Sequence, residues 1–384
     1  MARHAGEGRR GIARWVWVTV AVAVVAALAV VGYVAIVGQD DPDPATVCTQ
    51  QAELAVTATP AQAAALTAAA AAFDATRPVA RSACVSSTVT AAATPEDAGE
   101  LGTLQPPPAV LVVDSPADLA ALEEHDSAVT AGRDDDPEAS SPVVLAVRPD
   151  DADRVADALA GGGWADLVQL VGDGTTAGPL ALALPDPAGN RASAYLVESV
   201  VLAAQDGTTA TADGSPEAVD ESAVTGALPL LDRLAAATAA SRGPDAAGTT
   251  AEALTGLATA GDADPAGPVP VVPVVETDLV AWNSTADEPL AAVRPAGPAV
   301  GDTVLVVQLS ADWVDATARE AAAQFAAFLR SAPGRQVLAD AGLQVPDTTA
   351  TVSWPALLGP VGGAAAVPAA TGAARTAALE PFAG

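Results

Sequence analysis

Residues 15–37 hold 23 consecutive positions without a charged side chain, most of them Val or Ala. At about 1.5 Å of rise per residue, such a run crosses a hydrocarbon layer about 30 Å thick. Arg3, Arg9, Arg10 and Arg14 precede it, and Asp40, Asp41 and Asp43 follow it. Basic residues stay on the cytosolic side of a span, so the expected topology is a cytosolic tail (1–14), one transmembrane helix (15–37) and an extracellular remainder. Trp15, Trp17 and Tyr33 near the ends suit the two interfaces. A cleaved leader is the competing reading, but its apolar region is shorter and ends in a small-x-small site, which Val-Gly-Gln-Asp does not supply.

The 384 residues are 51% hydrophobic and 17% charged, which separates the chain from acidic disordered sequences that lack apolar surface to offset ordering entropy. Only 3% are aromatic, so the core must be built from small aliphatic side chains. The net charge is -30, and the N-terminal arginines leave the remainder more acidic still. Such a surface repels phosphate backbones, and nucleic acid is excluded as a partner. Cys48 and Cys84 fall on the oxidising side of the expected span, where a disulfide is the expected state. A reactive thiol or metal pair is the alternative reading, although no His or third Cys accompanies them.

Beyond an acidic tether at 38–47, strand and helix patterns alternate. Residues 52–59, 85–90, 109–113, 143–147, 180–184, 269–275 and 303–309 read as strands, several of them continuous apolar runs of the kind buried in parallel sheets. Helices are expected at 60–74, 115–122, 190–204, 277–282 and 315–331. Residues 206–222 and 241–267, rich in Gly, Thr, Ala, Asp and Pro, read as surface loops or weak Ala-rich helices. Residues 347–384 read as a disordered tail. The alternation predicts an α/β fold with a largely parallel sheet.

The stretch LVVQLSADWVDATAREAAAQFAAFLRSAPGRQVLADAGLQVPD resembles the closing strand and long helix of two-lobed extracellular solute-binding proteins. CTQQAELAVTATPAQAAALTAAAAAFDAT followed by RSACV is similar to the family's opening strand and helix, with the Cys pair of one branch. PPPAVLVVDSPADLAAL, SPVVLAVRPD, GGWADLVQLV, LALALPDPAGNRASAYLVESVVLAA and VVPVVETDLVAWN follow in the family's order. The resemblance covers residues 48–346 and is nearest to the molybdate-like, actinobacterial branch. Some of its members continue into a von Willebrand type A domain with an Asp-x-Ser-x-Ser metal site; no such motif occurs here, and that metal function is not carried over.

The resemblance implies a type 2 periplasmic-binding-protein-like ectodomain, with lobe 1 at 48–140 and 291–346, lobe 2 at 141–290, and a ligand cleft between them. A chain that crosses twice makes a hinge. The implied partners are a small-molecule solute, with an anion among the options, and a membrane transporter or envelope protein. The alternative is an ectodomain that keeps the fold as an interaction scaffold.

Ligand contacts in such a cleft come from helix starts and short hydroxyls. The candidates at strand-to-helix turns are Thr57, Thr59, Asp114, Ser115, Ser141, Asn190, Arg191, Ser193, Glu276 and Thr277. Each hydroxyl or amide also fits a helix cap. Arg191 is the sharpest anion partner, and a turn that lines a cleft is expected to carry little core packing. Trp164, Tyr195 and Trp282 are candidates for stacking, with Trp164 better explained as core. The Asp runs at 134–136 and 150–153 lack a calcium-loop spacing. With only His4 and His125 and no Gly-x-Ser-x-Gly elbow, neither an enzyme nor a zinc site is expected, and no cofactor is implied.

Overall fold

The computed structural model describes residues 48–92, 98–125, 130, 137–160, 162–172, 178–205, 219–239, 247–260, 267–346, 357–358, 366–370 and 372–383. The expected span at 15–37 and its flanks lie outside these residues; among the described ones, no helix is long and apolar enough to cross a membrane. Gln50–Gly384 forms one compact unit, while of Met1–Thr49 only Cys48 and Thr49 are described. Cys48 and Cys84 are both disulfide-bonded, and no described cysteine is free.

In chain order the elements are β1 Gln50–Ala58, α1 Ala63–Ala75, β2 Val79–Ala80, β3 Ala83–Ala91, α2 Ala98–Leu101, β4 Val110–Val113, α3 Pro116–His125, β5 Ala139–Val147, α4 Ala152–Ala158, α5 Trp164–Val171 and β6 Leu180–Leu182. They continue with α6 Arg191–Ala204, α7 Glu221–Ala237, α8 Thr250–Thr259, β7 Val269–Val275, α9 Glu276–Asn283, β8 Ala291–Val293, β9 Val300–Gln308, α10 Ala316–Arg330, α11 Ala332–Asp340, β10 Leu357–Leu358, β11 Val367–Pro368 and α12 Gly372–Leu379.

The described strands connect into one 11-stranded sheet, whose two halves are ordered β2-β3-β1-β4-β9 in lobe 1 and β6-β7-β5-β8-β10 in lobe 2. Strands β5 and β9 belong to both. They pair antiparallel from Ala139↔Val304 to Pro142↔Gly301. Past that segment β5 joins β7 and β8, through pairs such as Val143↔Val275 and Leu145↔Val293, while β9 joins β4 through Val113↔Leu305 to Val110↔Gln308. The return crossing therefore lies in β9, and residues 291–293, expected in lobe 1, belong to the lobe-2 sheet. Length explains the difference: at about 3.3 Å per residue, a three-residue strand cannot span two sheets, and a nine-residue strand can.

Each lobe has its own core. In lobe 1, Leu54, Val56, Leu66, Phe73, Val110, Leu111, Val307, Phe325 and Leu329 pack together, with Phe73 edge-on to Phe325 at 5.4 Å between ring centroids. Helix α10 forms where Asp315 accepts N–H bonds from Thr317 and Ala318 (2.8 Å each), and it buries Ala322, Phe325, Ala326 and Leu329 at helical spacing. Ser331 ends it and caps α11 through the Gly334 N–H, with a proline in the first turn of α11. In lobe 2 the sheet is covered on both faces: Trp164, Leu167, Leu196, Val200 and Leu231 lie on one, and Leu254, Leu257 and Leu279 on the other.

Within 241–267, read as loop or weak Ala-rich helix, the helix forms: α8 follows a capping box, in which Thr249 receives the Glu252 N–H and Glu252 receives the Thr249 N–H. One segment departs from the sequence reading. The tail expected to be disordered instead contributes β11 and α12, burying Val367, Ala369, Ala370, Ala374, Ala378 and Phe382 in the lobe-2 core. The reason lies in α6, which is buried without a break from Ala192 to Leu202 and so needs cover on every side. Tertiary contact orders a tail whose own composition carries no helical period.

Candidate functional site

Arg191, Tyr195, Glu198 and Ser199 stand on one stripe of α6, at helical spacings of three and four. Asn190 starts the helix, accepting the Ser193 N–H at 3.0 Å and donating from Nδ2 to Thr250 Oγ1 at 2.9 Å. The first turn of α6 is thereby fixed to α8. Arg191 extends toward the crossing strand β9, where Nη1 donates to Asp302 Oδ2 at 2.8 Å and Nη2 to Asp278 Oδ2 at 2.7 Å. Tyr195 Oη donates to the other Asp302 oxygen at 2.7 Å. Asp302 is 2% exposed, and burial pushes its carboxyl above the usual range despite Arg191 and Tyr195. Burial alone would lower the Arg191 guanidinium, but Asp302 and Asp278 outweigh it and hold the group charged. Burial, then Asp302, keep the Tyr195 phenol protonated beyond its ordinary range.

Ser141, the register partner of Asp302 on β5, meets the start of α9: its Oγ lies 3.1 Å from Thr277 Oγ1 and accepts the Thr277 N–H at 3.0 Å. Beside it, Glu276 pairs with Arg294 and accepts from Gln344 Nε2 at 2.9 Å. Burial raises the Glu276 carboxyl, with Arg294 and Gln344 opposing. From lobe 1, Thr59 Oγ1 donates to Asp114 Oδ1 at 2.6 Å, and the Asp114 carbonyl accepts both the N–H (3.0 Å) and the hydroxyl (2.6 Å) of Thr303. Gln62 Nε2 reaches the Thr303 carbonyl at 2.7 Å. Hydrogen bonds and adjacent chain positions thus link Thr59 in lobe 1 to Arg191 in lobe 2 through the crossing strand β9.

The structure brings Thr59, Asp114, Ser141, Arg191, Glu276 and Thr277 into this network. It sets others apart. Thr57 is buried in β1 between Thr90 and Leu111 of the neighbouring strands, Asn190 is a cap, and Ser115 is buried just before α3. Ser193 Oγ is fully buried in the first turn of α6 and has no hydrogen-bond partner. Trp164 is core, and Trp282 packs on the outer face of the lobe-2 sheet. Sequence reasoning missed Gln62, Asp278, Arg294, Asp302 and Gln344. Only Asp302 carried a signal, as a carboxylate inside the apolar strand VGDTVLVV.

Two cations, Arg191 and Arg294, face four carboxylates here, Asp114, Glu276, Asp278 and Asp302. The anion partner expected at Arg191 is therefore already held by two carboxylates. Two of the four unpartnered buried polar atoms among the described residues belong to this region, Gln62 Oε1 and Arg294 Nε. A cavity of about 1070 Å³ lined by Arg148, Thr255, Trp282 and Leu290 lies at the opposite end of β5 from Ser141, and apart from Trp282 it holds none of the candidates. Among the described residues, no group of three or more His, Cys, Asp or Glu is arranged to hold a metal ion.

The bacterial extracellular solute-binding protein family model matches residues 54–344, which takes in both lobes and both crossing strands. The chain belongs to that family. Members and structural neighbours are binding proteins, not enzymes. Among solved structures, the sulfate-binding protein SubI of Mycobacterium tuberculosis H37Rv is 16% identical, with a TM-score of 0.49 and coverage of 77% of this chain and 88% of that one. The substrate-binding domain of a putative molybdenum ABC transporter from Clostridium difficile is 15% identical (TM-score 0.48, coverage 76% and 98%). A periplasmic thiamin binding protein is 13% identical (TM-score 0.47, coverage 87% and 96%). No curated protein matches the chain.

Proposed function

We propose that the chain is a membrane-anchored receptor that holds a small polar solute where the two lobes meet and passes it to an ABC-type transporter. The uncharged run at 15–37 supports the anchor, and family membership supports the solute and the transporter. The observation that carries the binding site is the set of buried polar side chains converging on the crossing strands, two of them with an atom left unpartnered. A buried polar atom without a partner costs about 1–3 kcal/mol, and a ligand's hydroxyls or amines would recover it.

The charge balance narrows the ligand. An oxyanion paired with a side-chain cation needs an uncommitted one, and both arginines here are engaged by carboxylates. A neutral, hydroxyl-rich solute or a cationic one fits better. A thermal-shift series on the intact ectodomain, with polyols, sugars, amines and oxyanions at equal ionic strength, tests this. A solute at a hundred times its dissociation constant adds about 2.7 kcal/mol. Stabilisation by a polyol, sugar or amine is expected. Stabilisation by oxyanions alone would reverse the charge argument, and no response across the series would favour the scaffold reading.

A further inference from the structure

Residues 366–370 and 372–383 lie outside the stretch matched by the family model, yet the first of these segments touches both crossing strands. The Ala366 N–H donates to Ser140 Oγ of β5 at 3.1 Å. Strand β11 adds to β9 in parallel, Val367↔Val300 and Pro368↔Gly301, and the Val367 N–H donates to the Ala299 carbonyl at 2.9 Å. The segment then turns onto α6. Glu198, fully buried, accepts the Ala370 N–H at Oε2 (2.8 Å) and Arg375 Nε at Oε1 (2.9 Å). The Arg375 guanidinium also sits over the Tyr195 ring, 5.6 Å from its centroid. Tyr195 in turn donates to Asp302.

Three consecutive residues of β9 are held, two from α6 and one from the strap. The Val300 N–H donates to Ser199 Oγ at 2.8 Å, Gly301 pairs with Pro368, and Asp302 receives Arg191 and Tyr195. We propose that residues 366–370 and 372–383 form a strap that fixes the lobe-2 end of the hinge strand β9 and reaches β5 at Ser140, with Arg375 a positioning residue that holds Asp302 beside Arg191 by way of Tyr195. Bending of β9 between the lobes is then confined to its lobe-1 side, beyond Asp302. This holds whichever solute binds, because none of the strap's contacts involves one.

The test is hydrogen–deuterium exchange on the full chain without ligand, comparing wild type with Arg375→Ala and Arg375→Lys. Arg375→Ala is expected to speed exchange about tenfold or more in peptides covering residues 299–303 and 191–196, as well as in the strap itself. Peptides over residues 54–58 and 305–309 should keep wild-type protection. Arg375→Lys, which keeps a charge beside Glu198 but not the planar group over Tyr195, should restore the strap's protection while leaving residues 191–196 and 299–303 faster than wild type. Acceleration confined to residues 366–383, with β9 and α6 unchanged, would overturn the proposal. So would full restoration of β9 and α6 by Arg375→Lys, since stacking would then play no part. If Arg375→Ala alone loses the folded state, the lysine variant decides between the two outcomes. A negative thermal-shift series would leave this result unaffected, so the strap and the receptor reading fail separately.

Discussion

Arg191 and Asp302, 111 positions apart in the chain, meet at 2.8 Å where α6 abuts the strand that crosses between the lobes. The arginine is 31% exposed and the carboxylate 2%, so the pair joins a group that can reach solvent to one that cannot. The consequence is asymmetric. Removing the arginine leaves a buried carboxylate unpaired, whereas removing both leaves little behind.

Arg191→Met is therefore expected to destabilise the fold by about 2–3 kcal/mol, below the usual 3–5 for a fully buried pair because Arg191 is partly solvated. This reverses the sequence expectation that the turn carries little packing. Urea denaturation provides the check. Arg191→Met with Asp302→Asn should recover most of the loss; a single variant within about 0.5 kcal/mol of wild type would show that solvent already compensates Asp302.

Glu198, Glu276 and Asp302 all have carboxyls raised by burial, each opposed by an arginine. A raised carboxyl makes the folded state bind more protons than the unfolded one, so these groups contribute stability below the ordinary values of 4.5 for Glu and 3.8 for Asp and lose it as pH rises through their folded values. The melting temperature is expected to rise as pH falls from about 7 toward about 5. Relief of surface repulsion acts in the same direction, so the diagnostic is the triple variant Glu198→Gln, Glu276→Gln, Asp302→Asn, whose slope should be shallower. An unchanged slope would assign the whole effect to the acidic surface.

Gly301 faces Pro142 where β9 crosses β5. A Cβ built there would lie 2.2 Å from the Ser141 carbonyl oxygen and 2.5 Å from Pro142 Cα, both backbone atoms. Gly301→Ala must spread β5 and β9, at an expected cost of about 2 kcal/mol or more. Equilibrium unfolding measures it, and a neutral result would mean that the hinge strands separate easily.

The Cys48–Cys84 disulfide closes a loop whose unfolded-state freedom is worth about 4 kcal/mol in the chain-entropy model. The double Ser variant is expected to lose about 2–4 kcal/mol, read as a lower denaturation midpoint with a somewhat steeper slope, because the unfolded chain expands without the cross-link. An unchanged slope instead would point to residual structure that keeps the unfolded chain compact.

Sequence periodicity by itself determined the elements that are locally self-consistent. The continuous apolar runs at β4, β7 and β9 mark strands buried on both faces, and the stripe of α10, with Asp315 before it and Ser331 after it, supplies its own backbone bonds and buries one face. The capping box of α8 was equally local, but weak Ala-rich composition masked it. The turns after the strands pointed to Thr59, Asp114, Ser141, Arg191, Glu276 and Thr277, because helix starts attract short polar residues. Which of those groups are engaged was decided only by tertiary structure. Arg191 finds its carboxylates 87 and 111 positions away, Gln62 finds its carbonyl 241 positions away, and the tail is ordered by a helix that is buried on every side. No local pattern encodes these pairings, since charge interactions and cover for apolar surface depend on which segments the two crossing strands bring together.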